Sequence, residues 1–335
     1  MGLDPAVAAV RLAVRRQLHD LEGDVLVACS GGADSLALLA ATVFEVRRHD
    51  RRVVGVTVDH GLQEGSADHA TAVAGQMARL GADETMTVRV RVDAPGTGPE
   101  AAARQARYAA LGQAAEHLGA RLVLLGHTAD DQAETVLLGL ARGSGGRSIA
   151  GMRRRYVEGR VRFARPLLDV TRAQTELACR AEGIDFWEDP HNRDPRFTRS
   201  RLRHRVLPVL EEELGPGVAA ALARTADLLQ QDVAALDELA EGLHDEVRLP
   251  DGIDVVRLEV EPPALWTRVL RAAAVEAGCP SSELFRVHVD ALADLVTGEP
   301  GRKVQLPGHV TASVDRSHTL RFRSTRPGTG NGVAG

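Results

Sequence analysis

The sequence has 335 residues, which suggests two or three domains, and its composition is 44% hydrophobic but only 3% aromatic. The formal net charge of −5 gives no sign of a nucleic-acid partner in the molecule as a whole, and no apolar run approaches the roughly 20 residues of a membrane span. The three cysteines (Cys29, Cys179 and Cys279) are widely spaced, which argues against a disulfide framework and a zinc ribbon. Together with the lack of a secretory signal, this spacing predicts a cytoplasmic protein.

Strand and helix patterns alternate through the first 142 residues. A helix is predicted to start near Asp4 and Pro5, and each of four apolar strands is followed by a helical pattern. The predicted strands lie at 24–29, 53–59, 85–92 and 122–126. Such alternation is typical of right-handed crossovers, which build a parallel sheet with helices on both faces. We therefore predict an α/β fold with a doubly wound parallel sheet.

A second, smaller domain is predicted after a hinge at 211–217. We place the catalytic domain at 1–214 and a substrate-recognition region, helical and then with a short antiparallel sheet, at 218–323. Its predicted elements are a long amphipathic helix from 218, helices at 264–277 and 283–297, and strands near 302–306, 309–314 and 319–323. Residues 324–335 are predicted to form a disordered tail.

The segment Ser30–Ser35 (Ser-Gly-Gly-Ala-Asp-Ser) lies between the first predicted strand and a helix. A helix N-terminus presents unpaired amide groups, and glycine lets the backbone approach a phosphate closely. The segment therefore predicts a phosphate-binding loop, formed by Ser30, Gly31, Gly32, Ala33, Asp34 and Ser35. The sequence lacks the P-loop lysine motif, a dinucleotide glycine pattern after the first strand and the kinase motif pair, which excludes those nucleotide-binding classes.

Two further polar clusters end predicted strands. Asp59 and His60 follow the second strand, and His127–Asp131 follows the fourth. Because ligands bind beyond the carboxyl ends of parallel strands, we expect both clusters to converge with the phosphate-binding loop.

Arginine is concentrated in two blocks. Seven arginines between 143 and 165 are opposed only by Glu158, which favours contact with a polyanion over a solvated surface loop. The second block comprises Arg196, Arg199, Arg201, Arg203 and Arg205. On a helix, positions 199 and 203 share one face, as do 201 and 205.

The phosphate-binding loop resembles that of the pyrophosphatase-loop (PP-loop, N-type ATP pyrophosphatase) enzymes. Within that superfamily, further segments over roughly residues 20–210 resemble the tRNA(Ile)-lysidine synthetases, in the same order. They are Glu100–Tyr108 (E-x-x-A-R-x-x-R-Y), Gly126–Thr135 (H-x-x-D-D-x-x-E-T), Arg142–Gly145 (R-G-[ST]-G), Arg165–Leu168 (R-P-L-L) and Glu188–Ser200 (E-D-x-x-N…R-N).

The resemblance implies a ligase that couples L-lysine to the wobble cytidine of an isoleucine tRNA with a CAU anticodon. In that family ATP first activates the cytidine as an adenylate, and the lysine ε-amine then displaces AMP. Pyrophosphate and AMP are released, and the lysidine product changes codon specificity from AUG to AUA. The resemblance thus implies ATP and Mg²⁺ as cofactors and leaves a homodimer open.

The resemblance also implies roles for single residues. Asp131 and Glu134, one helical turn apart, would bind the lysine ammonium group, or would simply be helix-start acids. Arg107, with Arg104 as the second candidate, would hold the α-phosphate, and Asp34 would ligate Mg²⁺ or serve only as an acid of the helix N-terminus. The implied catalytic residues are Asp34, Arg107, Asp131 and Glu134. The nucleotide contacts are the loop with Asp59, His60 and His127, and the tRNA contacts are Arg104, Arg107, Arg199, Arg201 and Arg205.

The sequence departs from the family pattern at two positions and leaves two alternatives open. Gln63 stands where many relatives carry arginine, and Ser200 where asparagine is common, so position 200 is given no role.

One alternative function is a PP-loop tRNA thiolase, which would need a reactive thiolate. The other is a non-catalytic nucleotide- or RNA-binding protein, which would gain nothing from acids at 131 and 134.

Overall fold

The computed structural model describes residues 2–19, 23–47, 49–59, 61, 65–90, 99–143, 145–189 and 193–324. The chain divides into two compact units, Met1–Leu229 and Gln230–Gly335. The predictions made for His60, Gln63 and the tail at 325–335 fall outside the described residues. None of the described helices is both long enough and apolar enough to span a membrane.

A six-stranded sheet forms the centre of the first unit, in the order β3-β2-β1-β4-β6-β5. Its strands are β1 (Val25–Ala28), β2 (Val53–Asp59), β3 (Glu84–Arg89), β4 (Leu122–Leu124), β5 (Arg155–Glu158) and β6 (Val161–Ala164). All neighbouring strands run parallel except β5, which is antiparallel to β6. The chain passes from β1 towards β2 on one side of the sheet and from β4 towards β6 on the other, so the strand order reverses between β1 and β4. In α/β sheets, ligands bind at the point where the strand order reverses.

Helices cover both faces of this sheet, which confirms the predicted doubly wound α/β fold. The described helical elements up to residue 213 are α1 (Pro5–Leu18), α2 (Ala33–Val46), α3 (Ser66–Arg79), α4 (Pro99–His117), α5 (Ala129–Arg142), α6 (Gly146–Ile149), a 3₁₀ turn (Pro166–Asp169), α7 (Arg172–Ala181), α8 (Thr198–Arg201), a π-helical turn (Leu202–Val206) and α9 (Leu207–Glu213). Alternate side chains of β1 point to opposite faces of the sheet. Val25 and Val27 therefore pack in the core with α1, α2, α3 and α7, whereas Leu26 packs in the core on the other face with α4.

The hairpin of β5 and β6 lies in the first arginine block, where no strand is predicted from the sequence. Tyr156 pairs with Phe163 across the hairpin, and Gly159 adopts a φ of +60° at its turn. Val161 and Phe163 are buried, so apolar residues that alternate with arginine dock the hairpin onto β4. The high arginine content conceals this period-two pattern.

The described part of the second unit contains helices followed by a small antiparallel sheet, as predicted. Its elements are the end of α10 (Val218–Val247), β7 (Arg248–Leu249), β8 (Gly252–Asp254), α11 (Val255–Glu259), α12 (Pro263–Glu276), α13 (Arg286–Val296), β9 (Lys303–Leu306), β10 (Val310–Val314) and β11 (Thr319–Ser324). The sheet order is β7-β8-β11-β10-β9, so two short strands, β7 and β8, add to the three predicted ones. The domain limits 1–214 and 218–323 remain a proposal.

Candidate active site

A cavity of about 460 Å³ lies at the carboxyl ends of β1 and β4. One part of its wall is apolar and suits a nucleobase, and the remainder is charged. The apolar residues include Ala28, Val56, Val58, Leu111 and Leu125, and the polar ones include Ser30, Asp34, Arg104, Arg107, His127, Asp131, Arg172 and Arg203. The predicted convergence of the loop after β1 with the segment after β4 is therefore observed.

Backbone geometry defines the phosphate-binding loop. The Ser30 amide donates to Ser35 Oγ (3.1 Å), and the Ser35 hydroxyl donates to the Gly32 carbonyl (2.9 Å). Gly31 adopts a φ of +83°, and a Cβ there would lie 2.7 Å from Val73 Cγ2, so glycine is required. Among the described residues, no acceptor faces the amides of Gly31, Gly32, Ala33 and Asp34. Four consecutive N–H groups are therefore available to an anion.

A second glycine brings the end of β4 against this loop. A Cβ at Gly126 would lie only 3.1 Å from the Asp34 carbonyl oxygen. The close approach places His127 beside the first turn of α2, and α5 then begins at Ala129 with Asp131 in its first turn. Thr128 and Asp131 form a capping box, with the Thr128 amide 2.9 Å from Asp131 Oδ2.

Arg172 joins the acid of the loop to the acid of α5. Its Nε donates to Asp34 Oδ2 (3.2 Å), and its Nη2 donates to Asp131 Oδ1 (3.0 Å). The hydroxyl of Thr175 donates to the other Asp34 oxygen. Both oxygens of Asp34 are thus held by side chains of α7.

The pairing continues from Asp131 into the second arginine block. Arg203 donates from Nη2 to Asp131 Oδ1 (3.2 Å) and from Nε to Glu134 Oε1 (2.7 Å). Arg199 Nη1 lies 3.6 Å from Glu134 Oε2. We refer to these three acids and three arginines as the acid–arginine network; its members are Asp34, Asp131, Glu134, Arg172, Arg199 and Arg203.

Burial gives the three acids of this network different proton affinities. It raises the pKa of Asp34 against the attraction of Arg172, and it raises the pKa of Glu134 against that of Arg203. The pKa of Asp131 is lowered, because Arg172 and the other neighbouring charges outweigh the opposite effect of burial. Asp131 therefore keeps its negative charge, whereas Asp34 and Glu134 accept a proton more readily than exposed acids.

His127 faces the cavity as a neutral ring. Its Nδ1 atom is buried and has no hydrogen-bond partner among the described residues. Burial lowers the pKa of His127 to about 3, although the nearby Asp131 acts in the opposite direction. At neutral pH the imidazole can therefore donate or accept a hydrogen bond, but it supplies no charge.

Tyr108 and its neighbouring arginines form another part of the wall. The Tyr108 hydroxyl accepts hydrogen bonds from Arg104 Nη2 (3.1 Å) and Arg165 Nη2 (3.2 Å). Arg165 is only 6% exposed, so it supports the wall and is not an open surface cation. Arg107 also lines the cavity, where burial lowers the pKa of its guanidinium.

Comparisons with known proteins show the family to which the chain belongs. The PP-loop domain family matches residues 10–210. A tRNA(Ile)-lysidine synthase of Thermobifida fusca (strain YX) is 54% identical over 311 residues, which are 92% of this chain and 94% of the relative. The chain belongs to the tRNA(Ile)-lysidine synthase family. A second member, from Streptomyces coelicolor (strain ATCC BAA-471 / A3(2) / M145), is 49% identical over 342 residues, with 93% of this chain and 97% of the relative covered.

Among solved structures, the fold is similar to that of the U34-tRNA thiolase NcsA from Methanococcus maripaludis with its [4Fe-4S] cluster. The TM-score is 0.56 at 18% identity, with 67% of this chain and 80% of that chain covered, which shows the fold alone. The chemistry of a thiolase is not favoured here. Cys29, Cys179 and Cys279 are all buried and unpaired, and burial raises the pKa of each thiol.

The structure does not bring all predicted site residues to the cavity. Asp59 ends β2, where it accepts hydrogen bonds from the Gly61 amide (2.9 Å) and Arg89 (3.0 Å), and it does not line the cavity. Glu134 lies behind Arg203 and is 0% exposed. Arg201 donates to the carbonyl of Pro195 (2.7 Å), whereas Arg205 is exposed.

Arg172 and Thr175 belong to the site but are not singled out from the sequence, and Arg203 is named there only as a member of the second arginine block. A signal exists for Arg172, because a cation at the first position of a helix opposes the helix dipole and suggests a nearby acid. Arg203 shares a face with Arg199, which predicts a common partner but does not identify it. We find no local signal for Thr175.

Proposed function

We propose that this chain is an ATP-dependent carbon–nitrogen ligase that joins L-lysine to the wobble cytidine of the CAU-anticodon isoleucine tRNA. The product is lysidine, and AMP and pyrophosphate are released. The observation that carries this proposal is the position of the acid–arginine network, which begins at the phosphate-binding loop and extends from it through Asp131 to Glu134. A cationic nucleophile and an anionic nucleotide would therefore be held in adjoining parts of one site.

The loop would bind the pyrophosphate portion of ATP through its four unpaired amides. Asp34 is the proposed ligand of Mg²⁺, because it offers a carboxylate beside the loop once one of its α7 partners, Arg172 or Thr175, gives way, and Mg²⁺ is commonly bound by one or two carboxylates together with substrate phosphates. Among the described residues, no group of three or more His, Cys, Asp or Glu side chains forms a complete metal site, so phosphate oxygens would supply other ligands. When bound, Mg²⁺ would neutralise charge on the departing pyrophosphate.

The adenylation step places charge on the α-phosphate. Arg107 is the proposed partner of that phosphate, because its guanidinium lines the cavity and carries a positive charge. A cation placed where negative charge develops stabilises the transition state. Arg104 is the second candidate, and His127 would contribute a neutral hydrogen bond to the nucleotide.

The lysine ε-ammonium is proposed to bind at Asp131 and Glu134. Both carboxylates are paired with Arg203, so an arriving ammonium would replace that guanidinium. The network already contains equal numbers of acids and arginines, so a further cation is favourable only when one arginine withdraws. The ammonium must also lose a proton before it can attack, and the raised pKa of Glu134 suits that carboxylate as the acceptor.

Arg199, Arg201 and Arg205 are proposed to contact the tRNA. The exposed Arg205 is suited to a phosphate contact, whereas Arg199 connects this region to the acid–arginine network through Glu134. A homodimer and a cytoplasmic location remain predictions from the sequence.

The test combines purified protein, Mg-ATP and isoleucine tRNA, with and without L-lysine. We expect pyrophosphate release and an adenylated tRNA without lysine, and with lysine a tRNA whose mass has increased by one lysine residue. Release of pyrophosphate without any lysine-dependent change in tRNA mass would reject the ligase. A tRNA that gains sulfur would instead support a thiolase.

A further inference from the structure

Two residues outside the phosphate-binding loop hold two consecutive carbonyl groups of that loop. His69, in α3, places its Nε2 3.0 Å from the Ser30 carbonyl oxygen. The backbone amide of Trp187, in the segment after α7, donates to the Gly31 carbonyl at 2.9 Å. The two rings contact each other, with their centroids 4.1 Å apart and their planes inclined by 46°.

These contacts determine which way the loop peptides face. In a trans peptide the carbonyl and the following N–H point in opposite directions, and the described chain contains no cis peptide bond. The bond from His69 to the Ser30 carbonyl therefore turns the Gly31 N–H away from His69. The bond from Trp187 turns the Gly32 N–H away in the same manner, and both amides are among the four without an acceptor.

The loop itself contains little that would maintain this orientation. The hydrogen bonds of Ser35 reach the Ser30 amide and the Gly32 carbonyl, but neither reaches the carbonyl of Ser30 or Gly31. Glycine crosses easily between backbone conformations, so a peptide beside Gly31 can reverse. A reversed peptide would present a carbonyl oxygen, instead of an N–H group, to the phosphate chain, and would repel it.

We propose that His69 and Trp187 are positioning residues for the phosphate-binding loop. His69 acts through a proton on Nε2, which the neutral ring or the imidazolium can carry. Trp187 acts through its backbone amide, and its indole keeps the imidazole of His69 in place. The inference rests on ATP binding by the loop and is independent of whether lysine is the nucleophile.

The main test compares two ligands that differ only in their phosphates. Dissociation constants of ATP and adenosine are measured by equilibrium dialysis for the full chain and for His69→Ala and Trp187→Ala. We expect the ATP constant to rise about tenfold in His69→Ala, the usual effect of one lost hydrogen bond, and to rise in Trp187→Ala because the imidazole of His69 is no longer held in place, while the adenosine constant changes less than about twofold. His69→Gln and Trp187→Phe should recover most of the ATP affinity, and His49→Ala, which removes an exposed histidine, should bind like the parent.

Unchanged ATP binding in both alanine variants would overturn the proposal, as would equal losses of ATP and adenosine binding. A second measurement does not require either alanine variant to fold. The sequence contains two tryptophans, and Trp266 lies buried in the core of the second unit. In Trp266→Phe the one remaining tryptophan is Trp187, and ATP or inorganic pyrophosphate, but not adenosine, should change the tryptophan emission. An emission unaffected by either anion would also reject the proposal, whereas a missing lysidine product would leave it intact.

Discussion

The phosphate-binding loop and the acid–arginine network lie side by side but are built in opposite ways. The loop uses backbone amides of consecutive residues, so its chemistry is local and uncharged. The network uses six charged side chains from five segments (α2, α5, α7, α8 and the π-helical turn) and exists only when these pack together. The loop amides therefore need no rearrangement to face an anion, whereas the network as we propose it would exchange an arginine for the lysine ammonium. Asp34 belongs to both.

The largest effect is expected from a substitution of Glu134, which belongs to the acid–arginine network and not to the loop. Glu134→Gln removes one of the two carboxylate charges that pair with Arg203, and it removes the proposed proton acceptor, so kcat/KM for lysine should fall about 100-fold or more. The KM for ATP should stay within about threefold, because the loop amides are untouched. Steady-state pyrophosphate release, with lysine and ATP varied in turn, measures both constants.

Glu182→Gln is the matched control, since Glu182 pairs with Arg11 at 2.5 Å outside the cavity. This variant should keep both constants near those of the parent. Equal losses of lysine and ATP use in Glu134→Gln would mean that the two regions do not act separately.

A smaller effect is expected from the loop itself. In Gly31→Ala the added Cβ would meet Val73 and His69 at a positive φ, so the loop must shift and the ATP dissociation constant should rise at least about tenfold. Gly119→Ala has a similar φ of +67° with no atom within 4 Å of the added Cβ, and it lies away from the cavity. Both variants should lose stability, but ATP affinity should fall only in Gly31→Ala. Calorimetric titration with ATP distinguishes the two, and a loss in Gly119→Ala of the same size would contradict a specific role for the loop.

The smallest effect concerns His127, at the boundary between the two regions. The unfolded chain protonates this histidine below about pH 6.5, whereas the folded chain keeps it neutral because its pKa is lowered to about 3. The unfolded state then binds more protons, so the free energy of unfolding should fall by on the order of 1 kcal/mol between pH 7 and pH 5.5. Urea unfolding at both pH values should show a smaller decrease for His127→Asn. The same pH dependence in parent and variant would show that His127 is not held neutral by the fold.

Much of the fold could be predicted because its signals are local. The buried strands β1 and β2 are continuous apolar runs, and Asp4 caps α1 as its sequence suggests. The β5–β6 hairpin could not be predicted in this way, because arginines alternate with its buried residues. Arg165 shows the consequence: by composition it belongs to a polyanion-binding block, yet its guanidinium supports Tyr108 inside the wall.

The sequence by itself determined the phosphate-binding loop, the order of the first four strands with their helices, and the family, because consecutive residues carry all of that information. Only the tertiary structure decided that Arg172 connects Asp34 to Asp131, that Arg203 covers Glu134, and that His69 and Trp187 hold the loop. These contacts join residues that are 39 to 156 positions apart in the sequence. Charge pairs and hydrogen bonds over such separations depend on the approach of whole elements, which no local pattern of residue types specifies.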